Sequence, residues 1–289
     1  MTPLAELLDG LKVLPIYIIP QHGLSRLVAW ITRRRWGYLK DLLIRIFIRI
    51  YRVDMSTALE PDYHNFEHFN AFFTRELRPG VRPVNRDPLV IACPVDGSIS
   101  RMGKIDDATI IQAKGHTFTL TDLLAGDAAL SKQFHNGRFA TLYLSPRDYH
   151  RIHMPVDGQL QSMSCVPGRL FPVNQSSTRN VTRLFARNER IINIFATEFG
   201  TMALIMIGAL CVGSMDTVWA GNVAPLQPRT LSTWDYGRET VSLKKGQELG
   251  RFNMGSSVIL LFAAGSMEWL AGLGEGAMVS MGQGLGKKV

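Results

Sequence analysis

Residues 254–262, Met254-Gly255-Ser256-Ser257-Val258-Ile259-Leu260-Leu261-Phe262, lead from small polar residues directly into an unbroken apolar run. Such a short run beside turn-forming residues is typical of a buried strand, because most helices are longer. Similar runs recur at 89–92, 140–144 and 203–207, with turn signals between them at close spacing. This pattern predicts a β-rich body over residues 74–289.

The amino-terminal part of the chain has a different pattern. Residues 1–73 contain long stretches of helical apolar periodicity, and a stop signal follows at Arg78-Pro79-Gly80. One more short helix is expected over 120–124, capped by Thr119 or Thr121. We therefore predict an α+β protein in which amino-terminal amphipathic helices precede a β-rich body.

One motif occurs twice in the predicted β-rich body. Pro94-Val95-Asp96-Gly97-Ser98-Ile99 returns 61 residues later as Pro155-Val156-Asp157-Gly158-Gln159-Leu160. An aspartate and a glycine between apolar residues form a tight-turn signal. The repeat predicts two similar hairpins in a pseudo-duplicated body, and chance similarity of a common turn is the alternative interpretation.

The formal net charge of +8 is concentrated in one segment. Residues 24–52 carry eight basic residues and one acidic residue among many large apolar side chains. Helical periodicity separates a basic face from an apolar face, which consists of Leu42, Leu43, Ile46, Phe47 and Ile50. A basic amphipathic segment with tryptophans near its ends suits the surface of an anionic bilayer. The residues predicted to contact this membrane are Arg33, Arg34, Arg35, Trp36, Arg45, Phe47 and Arg49.

Two other interpretations of the basic segment stay open. The helix can pack on its own protein with its arginines in solvent, or it can bind nucleic acid. Nucleic acid is disfavoured because the chain has no zinc-finger spacing, no RNP aromatic pattern and no basic-region heptads. The charge alone does not decide between these partners.

Composition excludes several classes of protein. With 46% hydrophobic and 19% charged residues, the chain is neither wholly disordered nor collagen-like. Three scattered cysteines argue against a disulfide framework and against a thiolate zinc cluster. No cationic secretory signal and no uncharged apolar segment of membrane-spanning length is found, so a reducing cytoplasmic setting is expected.

Three places carry side chains that could do chemistry. His150 and His153 lie three residues apart and suit structural or acid–base roles, whereas a metal site lacks an obvious third ligand. Asp96 stands before a glycine, where aspartate usually serves the turn. Gly255 and Ser256 belong to a Gly-Ser-Ser sequence that is common in loops. Composition and spacing leave all these roles open.

Six ordered motifs extend over nearly the whole chain. They are FNAFFTR at 69–75, PVDG at 94–97, QAKGH at 112–116, LSPRDYHRIHMP at 144–155, NER at 188–190 and KGQELGRF at 245–252, which leads into Gly255-Ser256. In these motifs the chain resembles the bacterial-type phosphatidylserine decarboxylases, a family that makes its own pyruvoyl group. The family's cleavage motif usually reads Gly-Ser-Thr, whereas Ser257 replaces the threonine here. Because serine retains a hydroxyl, processing is expected to survive.

The resemblance implies decarboxylation of phosphatidylserine to phosphatidylethanolamine through a Schiff base to the pyruvoyl group. That group is made from Ser256 by autocatalytic serinolysis of the bond to Gly255. Cleavage yields a β chain of residues 1–255 and an α chain of residues 256–289. The covalent pyruvoyl group is then the cofactor, with no pyridoxal phosphate and no metal.

The resemblance also assigns roles to individual side chains. His153, oriented by Asp96, is the base that activates Ser256 in a Ser-His-Asp relay. His150 is a second candidate for proton transfer in the decarboxylation. Asp157 is expected to be the structural twin of Asp96, because the family match places the catalytic aspartate in the first of the two turns.

The expected partners follow from a substrate that lies in a bilayer. Residues 1–73 are predicted to hold the enzyme peripherally on the cytoplasmic face of the cell membrane, with anionic phospholipid and phosphatidylserine as partners. The β and α chains are expected to form a heterodimer, further homo-oligomerisation is left open, and nucleic acid is not expected. The alternatives are a pyruvoyl decarboxylase of a soluble amino acid, a pyridoxal-dependent decarboxylase around 114–116, and a non-catalytic membrane-surface protein on the same fold.

Overall fold

The computed structural model describes residues 13–113, 115–212, 214–225, 230–237 and 241–289. Its helices are α1 (Leu14–Ile18), α2 (Gln21–Thr32), α3 (Gly37–Tyr51), α4 (Phe69–Phe73), α5 (Leu120–Leu123), α6 (Ala128–Lys132), α7 (Gln175–Asn180) and α8 (Leu184–Arg187). Its strands are β1 (Val90–Ala92), β2 (Gly97–Lys104), β3 (Thr109–Ala113), β4 (His116–Thr119), β5 (Arg138–Tyr143), β6 (Arg151–His153), β7 (Gly158–Val166), β8 (Arg190–Thr197), β9 (Gly200–Ile207), β10 (Ser214–Thr217), β11 (Gly221–Ala224), β12 (Ser232–Asp235), β13 (Ser242–Leu243), β14 (Glu248–Asn253), β15 (Ser257–Phe262), β16 (Met267–Trp269), β17 (Met278–Val279) and β18 (Gly284–Lys288). Helices at the start and a β-rich remainder confirm the predicted α+β class.

The apolar run after Ser256 forms β15, which lies inside a nine-stranded sheet. The sheet has the order β12-β7-β8-β9-β15-β5-β2-β17, and β13 also pairs with β7. β15 is hydrogen-bonded on both edges, antiparallel to β9 and to β5, and all six of its residues are buried. A strand covered on both faces needs apolar side chains at every position, which explains its unbroken pattern.

Three smaller sheets accompany this one. They have the orders β1-β18-β16, β11-β10-β14-β6 and β3-β4. The short helix predicted over 120–124 is also present as α5, and the Thr119 hydroxyl caps it by accepting a 3.0 Å hydrogen bond from the Asp122 N–H. This capping contact selects Thr119 over Thr121 as the helix start.

The repeated Pro-Val-Asp-Gly motif corresponds to two copies of one structural unit. In copy 1 the motif links β1 to β2, while β1 pairs with β18 and β2 with β17. In copy 2 it links β6 to β7, while β6 pairs with β14 and β7 with β13. The copies also exchange reciprocal hydrogen bonds: the Ala92 N–H donates to the Pro155 carbonyl at 2.9 Å, and the His153 N–H donates to the Pro94 carbonyl at 2.8 Å. The body is therefore pseudo-duplicated, as predicted.

The prediction of two hairpins was wrong, because neither turn joins strands that pair with each other. Each turn carries the chain from a small sheet into the nine-stranded sheet. A later segment closes each turn: the Met281 N–H donates to the Asp96 carboxylate at 2.8 Å, and the Lys245 N–H donates to the Asp157 carboxylate at 2.8 Å. The aspartates thus satisfy distant main-chain donors, which a local turn signal does not reveal.

An aromatic cluster packs α3 against α4. The Phe47 ring lies edge-on to the rings of Phe69, Phe72 and Phe73 at centroid distances of 5.2, 6.0 and 5.9 Å. Ile44 of α3 is fully buried against the same cluster. Phe47, predicted to contact a membrane, therefore packs inside the protein.

The other residues of the predicted apolar face of α3 are partly packed inward and partly exposed. Leu43 packs inward with Phe47, whereas Leu42, Ile46 and Ile50 are exposed. The apolar arc of α3 is wider than one packing interface needs, so α4 covers one edge of it and leaves the other edge uncovered.

The predicted helical region is only partly helical. Its first twelve residues lie outside the described part of the chain. Between α3 and α4 the chain forms two short 3-10 turns, Met55–Thr57 and Tyr63–Asn65, capped by the carboxylates of Asp54 and Asp62. No helix formed by the described residues is both long enough and apolar enough to cross a membrane.

Candidate active site

Ser256 lies directly before β15 and is fully buried. Its hydroxyl donates a hydrogen bond to the Ile207 carbonyl at the end of β9. Its own carbonyl accepts a 2.9 Å hydrogen bond from the Leu144 N–H, just beyond β5. The next residue, Ser257, is already paired with Ile207 and Tyr143 in the sheet. The predicted nucleophile is therefore held from both sides by neighbouring strands.

His150 is fully buried beside the predicted cleavage site. Its Nδ1 lies 2.8 Å from the Asp148 carbonyl, which can only accept, so Nδ1 carries the proton and Nε2 carries the lone pair. Nε2 has no hydrogen-bond partner among the described residues, and a methyl group built on Gly255 would lie 2.8 Å from it. Burial lowers the pKa of His150 to about 3, so this imidazole is a neutral base at pH 7.

His153 ends β6, and both of its ring nitrogens have partners. Nδ1 donates to the Gly246 carbonyl at 2.8 Å, so Nε2 accepts a 3.0 Å hydrogen bond from the Tyr149 hydroxyl. Burial lowers the pKa of His153 as well, which keeps the ring neutral. In this arrangement the lone pair of His153 is occupied by Tyr149, whereas that of His150 is not.

Asp96 forms a two-pronged ion pair with Arg82. Arg82 Nε donates to Oδ1 at 2.9 Å and Arg82 Nη2 donates to Oδ2 at 2.6 Å. The Met281 N–H completes this set of donors. Asp96 and His153 are neighbours through the main chain, because His153 donates to Pro94 two residues earlier, but their side chains form no hydrogen bond. The side chains of Asp96 and His153 thus lie on neighbouring segments without forming the predicted relay contact.

The backbone before the predicted cleavage site is strained. Met254 has φ of +89°, a left-handed conformation that costs a residue with a side chain on the order of 1–2 kcal/mol. Gly255 follows, and the space for a side chain there is taken by His150. Only glycine fits between the strained residue and the histidine.

The predicted membrane-binding residues fall into two groups. Three of the arginines are engaged within the protein: Arg33 donates to the Ser214 hydroxyl at 2.9 Å, Arg34 lies 4.1 Å over the Trp30 ring, and Arg35 pairs with Glu67. Trp36, Arg45 and Arg49 are exposed, and the two arginines lie on α3 with Leu42, Ile46 and Ile50. The exposed surface of α3 therefore combines basic and apolar side chains.

Sequence reasoning did not single out several residues of the site. Tyr149 lies inside a motif used for the resemblance, so a close reading of that motif could have included it. Arg82 precedes Asp96 by 14 residues and Leu144 follows β5, and neither has a local signal because each contact depends on tertiary structure. Across the described residues, no three His, Cys, Asp or Glu side chains are arranged to hold a metal ion.

Comparisons with known proteins identify the family of the chain. A family model described as phosphatidylserine decarboxylase matches residues 69–287, and a second, described as PSD, matches residues 11–52. Proteins named phosphatidylserine decarboxylase proenzyme are 52% identical in Methylococcus capsulatus over 93% of this chain and 94% of the relative, and 50% identical in Ectopseudomonas mendocina over 96% and 97%. One from Yersinia pestis is 47% identical over 98% of both chains. The chain therefore belongs to the phosphatidylserine decarboxylase family of decarboxylase enzymes.

Proposed function

We propose that this chain cleaves itself between Gly255 and Ser256, acquires a pyruvoyl group at position 256 and decarboxylates phosphatidylserine to phosphatidylethanolamine. The observation that carries the proposal is the position of Ser256. It is buried at the head of a strand paired on both edges, and the basic Nε2 of His150 lies beside the preceding residue. The names of the relatives, which describe proenzymes, support processing of the chain.

Self-cleavage begins when the Ser256 oxygen adds to the Gly255 carbonyl carbon. The carbon–nitrogen bond breaks, the hydroxyl proton passes to the nitrogen, and an ester replaces the amide. A base then removes the Cα proton of residue 256, and the bond between Cβ and the ester oxygen breaks. Gly255 leaves as a carboxylate, the remaining enamine becomes an imine, and water releases ammonia to give the pyruvoyl group.

We assign the proton transfers of cleavage and of decarboxylation to two histidines. Following the family resemblance, we assign the activation of Ser256 to His153, which must exchange the Tyr149 hydroxyl for that of Ser256. His150 has its lone pair free beside Gly255, so we assign it to proton transfer at the reacting carbon during decarboxylation. Asp96 fixes the turn that holds the His153 main chain and supports the assigned relay.

The surrounding residues fit a pyruvoyl group at position 256. Such a group supplies a carbonyl that accepts the substrate's amine and takes up the electrons left when carbon dioxide departs. The Leu144 N–H already binds the carbonyl of residue 256, which is where negative charge would develop. Residue 256 is buried, and the Phe73 ring lies 4.1 Å from that of His150, so the surroundings of this point are largely apolar.

The two products of cleavage are expected to stay together as a β–α heterodimer. β15 is paired with β5 and β9 of the larger chain, β18 with β1, and β17 with β2. These hydrogen bonds and the buried side chains are unaffected by one broken peptide bond.

We also propose that α3 places the enzyme on an anionic membrane. Leu42, Ile46 and Ile50 remain exposed on this helix, with Arg45 and Arg49 beside them. Apolar side chains would enter the headgroup region while the arginines contribute about 1 kcal/mol each toward anionic lipid. This location, on the cytoplasmic face, brings the catalytic body to a lipid substrate.

Intact mass under denaturing conditions tests the proposal, with the Ser256→Ala variant as control. We expect two chains, residues 1–255 and 256–289, the smaller lighter by one ammonia than a peptide beginning with serine. The variant should stay a single chain. The processed protein should release carbon dioxide from phosphatidylserine vesicles and not from free aspartate or serine. A single uncut wild-type chain of 32.3 kDa would contradict the proposal.

A further inference from the structure

A cavity of about 250 Å³ lies between the end of α3 and the turn that carries Asp96. Arg52, the residue that ends α3, lines it together with Arg75 and Asp96. Tyr149 also lines it, and its hydroxyl donates a hydrogen bond to His153. The cavity therefore extends from the end of the exposed basic helix to the tyrosine that contacts His153.

Arg75 is a buried cation with unused hydrogen-bond donors. Its residue surface is only 4% exposed, and Nη2 donates to the Arg147 carbonyl at 3.1 Å. Nε and Nη1 have no partner in the described part of the chain. A buried charged group with unpaired donors is costly unless a ligand supplies the acceptors.

Arg190, to which we assign only a structural role, serves as a comparison for Arg75. It is also buried and also lacks a carboxylate partner among the described residues. All three of its guanidinium nitrogens donate to carbonyl oxygens, four bonds in all, at 2.7 to 3.0 Å. The fold can therefore give every nitrogen of a buried guanidinium a partner, and it does not do so at Arg75.

The carboxylates near Arg75 are already engaged. Asp96 is paired with Arg82, and Asp148 accepts two 2.7 Å hydrogen bonds from the main chain and hydroxyl of Ser145. Arg75 itself lies close to the reaction centre, since its guanidinium is 5.5 Å from the Phe72 ring and the adjacent Phe73 contacts His150. A positive charge with no carboxylate bonded to it among the described residues is thus held near His150.

We propose that Arg75 binds the phosphodiester of the phospholipid headgroup, donating to a non-bridging oxygen from the unpaired part of its guanidinium. This inference rests on the proposed function, in which the amine and the carboxylate of the headgroup react at position 256. The phosphodiester is then the remaining charge of the headgroup, and a guanidinium donates charge-assisted hydrogen bonds to phosphate oxygens. The lipid's glycerol end would point along the cavity toward Arg52 and the membrane.

The test compares Arg75→Gln and Arg75→Lys with wild type. Self-cleavage, followed on denaturing gels, needs no substrate, so it reports whether each variant folds. The dissociation constant of glycerophosphoethanolamine, which has the phosphodiester and no carboxylate, is measured by calorimetry on the processed enzyme. For Arg75→Gln we expect normal cleavage, a dissociation constant about 10-fold higher or more, and a matching rise in KM for phosphatidylserine. Arg75→Lys should recover binding only in part, because an ammonium keeps the charge but lacks the planar array of donors.

L-serine has the carboxylate and no phosphate, so it is the matched ligand. Its inhibition constant should change less than about twofold in Arg75→Gln. Loss of serine inhibition with unchanged glycerophosphoethanolamine binding would assign Arg75 to the carboxylate and overturn the proposal. Unchanged binding of both ligands would also overturn it. So would a failure of both variants to cleave or fold, since Arg75 would then be structural. If wild type itself is inactive but binds glycerophosphoethanolamine through Arg75, the proposed function fails and the phosphodiester site stands.

Discussion

The two copies of the Pro-Val-Asp-Gly unit have the same backbone pairing and different side-chain environments. In copy 1, Asp96 is buried and its carboxylate is held by the Arg82 guanidinium. In copy 2, Asp157 is exposed and paired with Lys244, whose ammonium donates at 2.8 Å. Both carboxylates accept one main-chain N–H from a later turn, so that contact is the structural function they share.

The buried aspartate belongs to copy 1, whereas the histidines belong to copy 2. Copy 2 has His150 and His153 where copy 1 has Leu89 and Ala92. Copy 2 is also the one whose closing strand, β14, continues into Gly255 and β15, whereas the equivalent β18 ends the chain. In the proposed function, the duplicated scaffold thus contributes an aspartate from its first copy and the histidines and the cleavage site from its second.

The largest expected difference between the copies is in self-cleavage. Asp96→Asn removes the charge that holds Arg82 and the assigned support of His153, so we expect cleavage to slow by about 100-fold or more. Asp157→Asn should change the rate less than about twofold, because an exposed ion pair contributes little. The rate is measured by the appearance of the α chain after synthesis.

Circular dichroism melting of both variants serves as the control for folding. Equal slowing in the two variants, at equal stability, would show that the copies are not functionally different. Normal cleavage of Asp96→Asn would remove Asp96 from the proposed relay.

The glycines that follow the two aspartates should differ in their tolerance of a methyl group. At Gly97 a Cβ would lie 2.2 Å from the Tyr143 carbonyl oxygen, which is fixed in the sheet. At Gly158 it would lie 3.0 Å from the end of the Met154 side chain and 3.1 Å from a Thr197 methyl, which can shift. We expect Gly97→Ala to lower the free energy of unfolding by about 3 kcal/mol or more, and Gly158→Ala by about 1 kcal/mol.

Urea unfolding of both alanine variants in the Ser256→Ala background, where every protein stays a single chain, measures this difference. A similar loss in both would mean that the two turns have equal freedom to relax. A larger loss at Gly158 would reverse the comparison.

The histidines of copy 2 should make stability sensitive to acid. Unfolded histidine binds a proton below a pKa of about 6.5, whereas the folded pKa of His150 is lowered to about 3 by burial. The unfolded state therefore binds more protons between these values, and stability falls as the pH drops from 6.5 toward 3. His150 alone accounts for a slope of about 1.4 kcal/mol per pH unit well inside this window.

Replacing His150 by leucine, the residue at the equivalent position of copy 1, should flatten this dependence. Urea unfolding of Ser256→Ala with and without His150→Leu between pH 7 and pH 4 measures the change. Identical pH slopes in the two proteins would show that His150 is not kept neutral by the fold.

The sequence predicted those parts of the site that depend on local pattern. The apolar run 258–262 predicted β15, and the motifs around Ser256, His150 and His153 indicated the chemistry. The hairpins were wrong because a tight-turn signal does not specify which strands pair. The predicted membrane-contacting face of α3 included too many residues, because the sequence does not show that α4 covers Phe47.

The sequence by itself determined that the chain has amphipathic helices, a β-rich body and a duplicated turn, since these depend on periodicity and on the conformational preferences of neighbouring residues. Only the tertiary structure decided the partners of the functional groups. Tyr149 occupies the lone pair of His153, Arg82 holds Asp96, and Arg75 keeps two donors unpaired. These contacts join segments far apart in the chain or depend on burial, and burial is a property of the packed molecule. That is why a chemistry could be proposed from the sequence, while the availability of each reactive atom could not.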